Sequence, residues 1–128
     1  MSNSMNYQKG DFQATHKGSK HWFNIRKPYE IMFSRRSYNH PSVIVGENRK
    51  EYAYLPMSHK VPVKQNGYKK MHGNPDPNDC KDVYIRMKLK ADDKYYKDHR
   101  NFRYPKGPRW HLDSEDEKRV DSYLKKKM

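Results

Sequence analysis

The segment from Pro41 to Pro56 constrains the fold more than any other part of the chain. Pro41 precedes the apolar run Val-Ile-Val-Gly at 43–46, and a second run, Tyr-Ala-Tyr-Leu at 52–55, ends at Pro56. The polar residues 47–50 between the two runs have the length of a hairpin turn. β-Branched and aromatic residues favour strands, and a proline bends or ends one. The segment therefore predicts a β-hairpin.

The C-terminal residues carry the clearest helix signal. Ser114 is followed three residues later by Glu117, which is the pattern of a capping box. Acidic residues fill the first turn and lysines 125–127 fill the last, so both ends complement the helix dipole. Three apolar residues form a stripe on one side of this helix: Val120, Tyr123 and Leu124. We expect the helix to pack on a sheet through that stripe.

The remaining segments complete the predicted organisation. Residues 29–33 have strand character, and residues 83–90 alternate from Ile85 onward, so that Ile85, Met87 and Leu89 would face inward. Residues 61–81 are rich in turn residues, and residues 91–110 are predicted to form a loop or an irregular segment that covers the sheet. We predict a flexible N-terminal arm at 1–20 and one basic α+β domain at 21–128. Its fold would be a small, strongly bent antiparallel sheet or an SH3-like barrel, with the C-terminal helix packed on it.

The net charge of +13, from 28 Lys and Arg against 15 Asp and Glu, limits the class of partner. A charge that large on a small domain attracts polyanions, which are nucleic acid, an acidic protein or an anionic membrane. No apolar run approaches the roughly 18 residues of a spanning helix, and no apolar signal peptide begins the sequence. We therefore expect nucleic acid, with RNA preferred, and no membrane. The single cysteine, Cys80, excludes an intrachain disulfide and favours a cytoplasmic location.

The positive charge is concentrated outside the C-terminal helix. Residues 111–128 hold five basic and five acidic residues, so the whole excess lies in 1–110. Between 81 and 110 the basic residues are interleaved with aromatic ones, which suits a single strand because cations bind phosphates while rings stack on bases. The alternative is a solvated basic surface whose rings fold inward as core. The predicted nucleic-acid-binding residues are Arg35, Arg36, Lys88, Lys90, Tyr95, Tyr96, Arg100, Arg103 and Trp110.

The sequence predicts neither a metal site nor a cofactor. None of the seven histidines forms a His-x₃-His unit, and no P-loop or dinucleotide fingerprint is present. Metal-independent phosphodiester chemistry remains open, because RNA supplies its own 2′-hydroxyl nucleophile. An enzyme then needs an acid, a base and cations for the developing phosphorane charge, and the chain is rich in His, Lys, Arg, Ser and Tyr.

The hairpin segment resembles part of the MazF and ToxN endoribonuclease toxins. The resemblance covers residues 39–60, with a Pro-led apolar strand, a turn, and a second strand ending in Pro-x-Ser-x-Lys. It implies an SH3-like barrel and metal-free RNA cleavage, with Ser58 and Lys60 as site residues. MazF has an arginine before the proline of its first strand, where this chain has His40. That histidine could act as an acid or a base instead.

Histidines near this segment are the candidate acid and base. His59 lies between Ser58 and Lys60, and histidine changes charge near neutral pH. His72 is a second candidate, and Arg86 is a candidate phosphate clamp. For each of them the alternative is an ordinary surface residue. The predicted catalytic residues are Ser58, His59, Lys60, His72 and Arg86.

Three functions fit these observations. The first is a metal-independent ribonuclease of toxin type, a hydrolase from a phage or other mobile element, with an antitoxin as a partner. The second is a non-catalytic nucleic-acid-binding protein that uses the same basic and aromatic face. The third is an inhibitor protein that docks on an acidic host-defence partner. RNA cleavage without metal separates the first from the others, and steep salt dependence of binding separates the second from the third.

Overall fold

The structure is a computed structural model that describes residues 10–35, 40–61 and 67–128. Its strands in chain order are β1 (Phe12–His16), β2 (Ser19–Ser34), β3 (His40–Glu47), β4 (Glu51–Ser58), β5 (Tyr68–Lys70), β6 (Tyr84–Arg86), β7 (Lys90–Asp93), β8 (Tyr95–Tyr96), β9 (His99–Arg100) and β10 (Phe102–Arg103). The helix α1 covers Ser114–Lys125. Within the described residues, no helix is long and apolar enough to cross a membrane.

The strands form an antiparallel sheet on which α1 packs. β1, β2, β3, β4, β6 and β5 are neighbours in that order, while β10 pairs with β2 and β7 pairs with β4. β8 and β9 form a separate two-stranded ribbon. The two end strands, β1 and β5, do not pair with each other, so the described strands do not close a barrel. The predicted α+β class is confirmed as an antiparallel sheet with one C-terminal helix.

The hairpin predicted from the sequence is β3 with β4. The register runs from Ser42 opposite Pro56 to Glu47 opposite Tyr52, with an irregularity between Ile44 and Gly46. β4 continues through Pro56 to Ser58 rather than ending at the proline. The prediction succeeds because the turn chemistry and the apolar runs are local signals.

Both faces of the sheet contribute buried residues to a core. On one face Val43 and Val45 join Val120 and Leu124 of α1 in the main core. A smaller core on the other face comprises Met32, Ile44, Tyr54 and Phe102. Alternate residues of β3 therefore serve different cores, because successive side chains of a strand point to opposite faces.

The helix begins one residue earlier than the sequence pattern indicates. Asp113, not Ser114, is the N-cap, and its Oδ1 accepts the backbone N–H of Asp116 at 2.9 Å. Asp116 is 2 % exposed, and its carboxylate accepts the backbone N–H groups of His72 and Gly73. The start of α1 therefore also holds the loop that carries His72.

Residues 12–20 differ from the prediction of an N-terminal arm. They form β1 and the start of β2, joined by a tight turn in which Lys17 and Gly18 have φ values of 50° and 81°. These positive φ values are typical of a two-residue hairpin turn. Phe12 is fully buried with its ring centroid 6.0 Å from that of Phe23, so packing orders a strand too short to be recognised in the sequence. Residues 1–9 of the predicted arm lie outside the described residues.

The predicted strand at 83–90 is also different, because it is divided into β6 and β7. The backbone N–H of Lys88 donates to the carbonyl of Arg86 at 2.8 Å, which bends the chain between the two strands. Ile85 is buried as expected, whereas Met87 and Leu89 are only half-buried beside the core. Residues 91–110, predicted as a loop or irregular segment, contain short strands. Of these, β7 pairs with β4 and β10 pairs with β2.

Candidate nucleic-acid interface

Three arginines and a histidine line a cavity of about 370 Å³, which we name the arginine cavity: Arg35, His99, Arg100 and Arg103. Arg35 directly follows β2, and Arg103 lies on β10 opposite Phe33 of β2. His99 and Arg100 form β9. Pairing of β10 with β2 therefore brings together residues that are more than 60 positions apart in the sequence.

A buried asparagine fixes the geometry of the arginine cavity. Asn101 is 3 % exposed, and its carbonyl accepts the backbone N–H of Arg35 at 2.7 Å. Its backbone N–H donates to the carbonyl of Lys94 at 3.0 Å, and its Nδ2 donates to the carbonyl of Asp93 at 2.8 Å. These bonds join the end of β2 to the chain on both sides of the β8–β9 ribbon. The cavity is therefore held by backbone contacts rather than by its long side chains.

Two cations of the arginine cavity, Arg35 and Arg100, are available for a ligand. Among the residues that the structure describes, neither Arg35 nor Arg100 takes part in an ion pair. A guanidinium keeps its charge at any physiological pH and presents a planar fork of donors that matches a phosphate. Several guanidinium groups around one cavity can bind an anionic group such as a phosphate.

Two exposed tyrosines stand beside these cations on the β8–β9 ribbon. Tyr95 pairs with Arg100, and Tyr96 pairs with His99. Their exposed fractions are 57 % and 51 %, and Lys97 Nζ lies 5.6 Å from the ring centroid of Tyr96. Exposed rings next to phosphate-binding cations are the arrangement in which bases of a single strand stack. The structure therefore brings together Arg35, Arg100, Arg103, Tyr95 and Tyr96 from the predicted set.

The other predicted binding residues lie apart from the arginine cavity. Trp110 is half-buried, with its ring centroid 5.9 Å from that of Phe33, so it serves packing rather than stacking on a base. Lys90 is half-buried, and burial, followed by the charges of Arg86 and Lys88, lowers its pKa. Lys88 is exposed and lines a different cavity. Arg36 lies outside the described residues.

A second basic surface lies between α1 and the β5–β6 pair. It is a groove of about 810 Å³, which we name the lysine groove, lined by Lys69, Lys70, Met87, Arg119, Ser122, Tyr123, Lys126 and Lys127. A smaller cavity that shares Met87 and Tyr123 adds Lys20 and Lys88. The lysine groove contains no exposed aromatic platform comparable with Tyr95 and Tyr96.

The contribution of α1 to this groove was not predicted from the sequence. Residues 111–128 hold five acidic and five basic residues, which balance, yet three of the acidic residues lie in the first turn of α1 and residues Lys125, Lys126 and Lys127 lie in or directly after its last turn. A helix of this length separates its ends by about 18 Å at 1.5 Å per residue. The positions of the charges along the helix, rather than their sum, would have indicated the groove.

The predicted catalytic segment forms a tight turn at the end of β4. Ser58 Oγ donates to the carbonyl of Lys60 at 2.6 Å and accepts the backbone N–H of Lys60 at 3.1 Å. His59 is exposed, and its Nε2 lies 2.8 Å from Asp79 Oδ2. The hydrogen bond from His59 lowers the pKa of Asp79 to about 2. A carboxylate that accepts from one imidazole nitrogen orients the ring and leaves the other nitrogen facing outward.

His72 and Arg86 have other partners. His72 Nδ1 lies 2.8 Å from Asp113 Oδ2, and this hydrogen bond raises the pKa of His72. The guanidinium carbon of Arg86 lies 5.6 Å from the ring centroid of Tyr68, and Arg86 Nε is buried and has no hydrogen-bond partner in the part of the chain that the structure describes. Within the described part of the chain, no side-chain hydrogen bond or ion pair joins His59, His72 and Arg86 to one another. His40 is exposed at the start of β3.

Residues able to hold a metal ion occur elsewhere, although the sequence predicted none. His16, Glu51 and Asp93 offer ligand atoms that all lie within 4.8 Å of one another. No spacing motif marks them, because they belong to three different strands and meet only through pairing. A search for ligand pairs at fixed spacing could not have found them.

Comparison of the chain with protein-family models, with curated proteins and with solved structures finds no match. The resemblance of residues 39–60 to the MazF and ToxN toxins therefore stays a prediction.

Proposed function

We propose that this protein binds single-stranded nucleic acid, RNA in preference to DNA, at the arginine cavity. The observation that carries the proposal is the convergence of Arg35, Arg100 and Arg103 on one cavity beside the exposed rings of Tyr95 and Tyr96. The arginines bind phosphate oxygens, and the rings stack on the adjoining bases. Stacking accepts any base, so the proposed binding has little sequence preference.

The lysine groove adds a second, less specific contribution. Lysine is a point charge without a planar donor fork, so it attracts phosphates without fixing their orientation. Binding through both surfaces should weaken steeply with salt. The logarithm of the binding constant falls linearly with the logarithm of the salt concentration, and each neutralised phosphate of a single strand contributes about 0.7 to the steepness of that fall. Affinity for heparin equal to that for RNA would instead favour an acidic protein partner.

The arginine cavity can be tested by removing charge from it and from a matched surface. The double variant Arg100→Gln with Arg103→Gln removes two cations from the cavity, whereas Lys106→Gln with Lys118→Gln removes two exposed cations outside it. Fluorescence anisotropy with a labelled single-stranded RNA measures both dissociation constants. We expect the cavity variant to bind at least about tenfold more weakly and the control to change less than about threefold. Equal losses would show that only net charge matters.

The rings are tested separately at constant charge. The double variant Tyr95→Ala with Tyr96→Ala should weaken binding by about 1–3 kcal/mol for each stacked base and leave the salt slope unchanged. A loss that appears only as a smaller salt slope would contradict stacking.

Our second proposal is metal-independent RNA cleavage of toxin type at the Ser58–Lys60 turn. It is supported by His59, which is 52 % exposed and held by Asp79 between two polar neighbours. An SH3-like barrel relationship, a cytoplasmic location and an antitoxin partner belong to this proposal, since they follow from the same resemblance. His59 would exchange protons with the 2′-hydroxyl or the leaving oxygen, and Lys60 would bind the phosphate.

Cleavage is tested on a mixed RNA in excess chelator. Wild-type protein should produce fragments, His59→Gln should reduce the rate at least about 100-fold, and His111→Gln, at an exposed histidine outside the arginine cavity, should serve as the control. Intact RNA with wild-type protein, or cleavage that survives in His59→Gln, would remove this proposal and leave the binding proposal standing.

A further inference from the structure

Four polar residues from four strands meet next to the β1–β2 turn. His16 ends β1, Glu51 begins β4, and Asp93 ends β7 directly opposite Glu51 in the sheet. His21 lies on β2, with its ring centroid 6.2 Å from that of His16. We name these residues the histidine–carboxylate cluster: His16, His21, Glu51 and Asp93.

His16 is the unusual member of the cluster. It is only 8 % exposed, and its Nε2 is buried with no hydrogen-bond partner among the described residues. That nitrogen faces two carboxylates, at 3.6 Å from Glu51 Oε2 and 3.4 Å from Asp93 Oδ1. Both distances exceed the roughly 2.7–3.2 Å of an N–H···O hydrogen bond. A buried polar atom left in this state lowers stability unless something else binds it.

The same distances match the edge of a coordination tetrahedron. Two ligand atoms at about 2.0–2.2 Å from a tetrahedral ion lie roughly 3.3–3.6 Å apart. His16 Nε2 is therefore spaced from each carboxylate oxygen as one ligand of an ion is from another, and one ligand atom of each of the three residues lies within 4.8 Å of the others.

The other atoms of Glu51 are already positioned by neighbours. Glu51 Oε1 accepts a hydrogen bond from Asn48 Nδ2 at 2.8 Å and lies 2.8 Å from His21 Nδ1, which also lies 3.0 Å from Glu51 Oε2. Glu51 is 5 % exposed, and these contacts fix its carboxylate so that Oε2 points toward His16. Hydrogen-bonded partners of this kind orient the ligands of metal sites.

We propose that the histidine–carboxylate cluster binds a divalent first-row transition ion, with Zn²⁺ as its best fit. His16, Glu51 and Asp93 are the ligands, and His21 with Asn48 holds Glu51 in place. Imidazole nitrogen favours ions such as Zn²⁺, whereas Mg²⁺ and Ca²⁺ prefer oxygen ligands throughout. The ion would fasten the β1–β2 hairpin to β4 and β7, which is a function separate from nucleic-acid binding.

The test uses the full chain without a histidine tag, freed of metal by a chelator. Zn²⁺ is titrated by calorimetry, Co²⁺ serves as a coloured probe of coordination, and thermal unfolding is followed with and without Zn²⁺. We expect one ion per chain and a higher Tm with Zn²⁺, since a ligand that binds only the folded state stabilises it.

Two substitutions and a matched control locate the ion. Asp93→Asn and His16→Gln should each weaken Zn²⁺ binding at least about tenfold. Asp79→Asn makes the same change in the carboxylate that pairs with exposed His59, and it should leave the affinity unchanged. Asp93 is partly exposed, so Asp93→Asn serves if His16→Gln does not fold.

Three results would overturn the proposal. One is wild-type protein whose Tm and heat of titration do not respond to Zn²⁺, which would leave the cluster as an ion-pair network. Another is equal weakening by Asp93→Asn and Asp79→Asn, and the third is X-ray absorption of the Zn²⁺ complex that lacks a carboxylate ligand. RNA binding is measured in parallel, so its failure is distinguishable from the absence of a metal site.

Discussion

Asp113 both caps α1 and pairs with His72, and each of its carboxylate oxygens makes one of these contacts. Its Oδ1 caps α1 by accepting the backbone N–H of Asp116, and its Oδ2 lies 2.8 Å from His72 Nδ1. Burial would raise the pKa of Asp113, but the bonds from Asp116 and His72 lower it. A residue that caps the helix and pairs with the adjoining loop should affect both when it is replaced.

Replacing the cap should identify it. Asp113→Ala should lower the free energy of unfolding by about 1 kcal/mol or more, because the first turn of α1 loses its acceptor. Ser114→Ala should change it by less than about 0.5 kcal/mol, because Ser114 is exposed inside the first turn. Urea denaturation measures both values. A larger loss of unfolding free energy for Ser114→Ala than for Asp113→Ala would indicate that Ser114 is the N-cap, as the sequence pattern predicts.

The His72–Asp113 pair should stabilise the protein over a limited pH range. Asp113 raises the pKa of His72, so the contribution of His72 is present below the ordinary histidine pKa and is lost as the pH rises through the raised value. The lowered pKa of Asp113 makes its contribution present above the ordinary aspartate pKa and lost as the pH falls through the lowered value. The stability difference between wild type and His72→Gln should therefore be largest near pH 5, between those ordinary pKa values of about 4 and 6.5. Urea denaturation at several pH values measures it, and a difference that does not vary with pH would contradict the pairing.

At the scale of elements, α1 is fastened to β2 by polar contacts as well as by its apolar stripe. The hydroxyl of Tyr29 donates to Asp121 Oδ1 at 2.6 Å, and Lys27 Nζ lies 2.9 Å from Asp121 Oδ2. Burial, together with the hydrogen bond to Asp121, raises the pKa of Tyr29, so its hydroxyl stays protonated as a donor.

Removing this hydroxyl should loosen the helix. Tyr29→Phe should lower the free energy of unfolding by about 1–2 kcal/mol, because a hydrogen bond to a charged group is lost while the ring stays packed. Tyr96→Phe removes an exposed hydroxyl and should have no measurable effect. Thermal or urea unfolding compares the two, and equal effects would show that the Tyr29–Asp121 contact contributes nothing.

The elements that could be predicted are those with local signals. Apolar runs around a polar turn identify β3 and β4, and dipole-matched charges identify α1 to within one residue of its cap. β8, β9 and β10 have two residues each, so no periodicity marks them, and Asn101 fixes their positions through one long-range hydrogen bond with Arg35 and two shorter-range bonds with Asp93 and Lys94. The sequence indicated the three arginines of the arginine cavity as cations but did not indicate His99, and the convergence of all four residues depends on this pairing. The histidine–carboxylate cluster depends on strand register and left no sequence signal.

At the scale of the whole molecule, many acidic groups are already paired within the fold. Glu47 binds both Arg26 at 3.2 Å and Lys94 at 2.8 Å, and Arg26 also lies 3.1 Å from Glu30. The excess of +13 therefore remains largely unneutralised on the surface. Self-repulsion of that charge opposes the compact state while it attracts polyanions.

Salt should therefore change stability and binding in opposite directions. Raising the ionic strength from about 0.01 M to about 0.15 M shortens the screening length from about 30 Å to about 8 Å. The free energy of unfolding of the protein alone should increase, because repulsion between cations is screened, whereas RNA affinity should fall. Urea denaturation and anisotropy at both salt concentrations test this. A loss of stability with salt would mean that the internal ion pairs outweigh the repulsion.

The position of β3 has a consequence for how the molecule opens. Its residues 42–46 are buried, it is paired on both edges, and its alternate side chains belong to the two separate cores. Opening of either face alone leaves the strand protected by the other, so amide hydrogens of β3 can exchange with solvent only when both cores separate. The exchange rate of this one strand therefore reports the global unfolding equilibrium, while the amides of the short β8–β9 ribbon report local fraying.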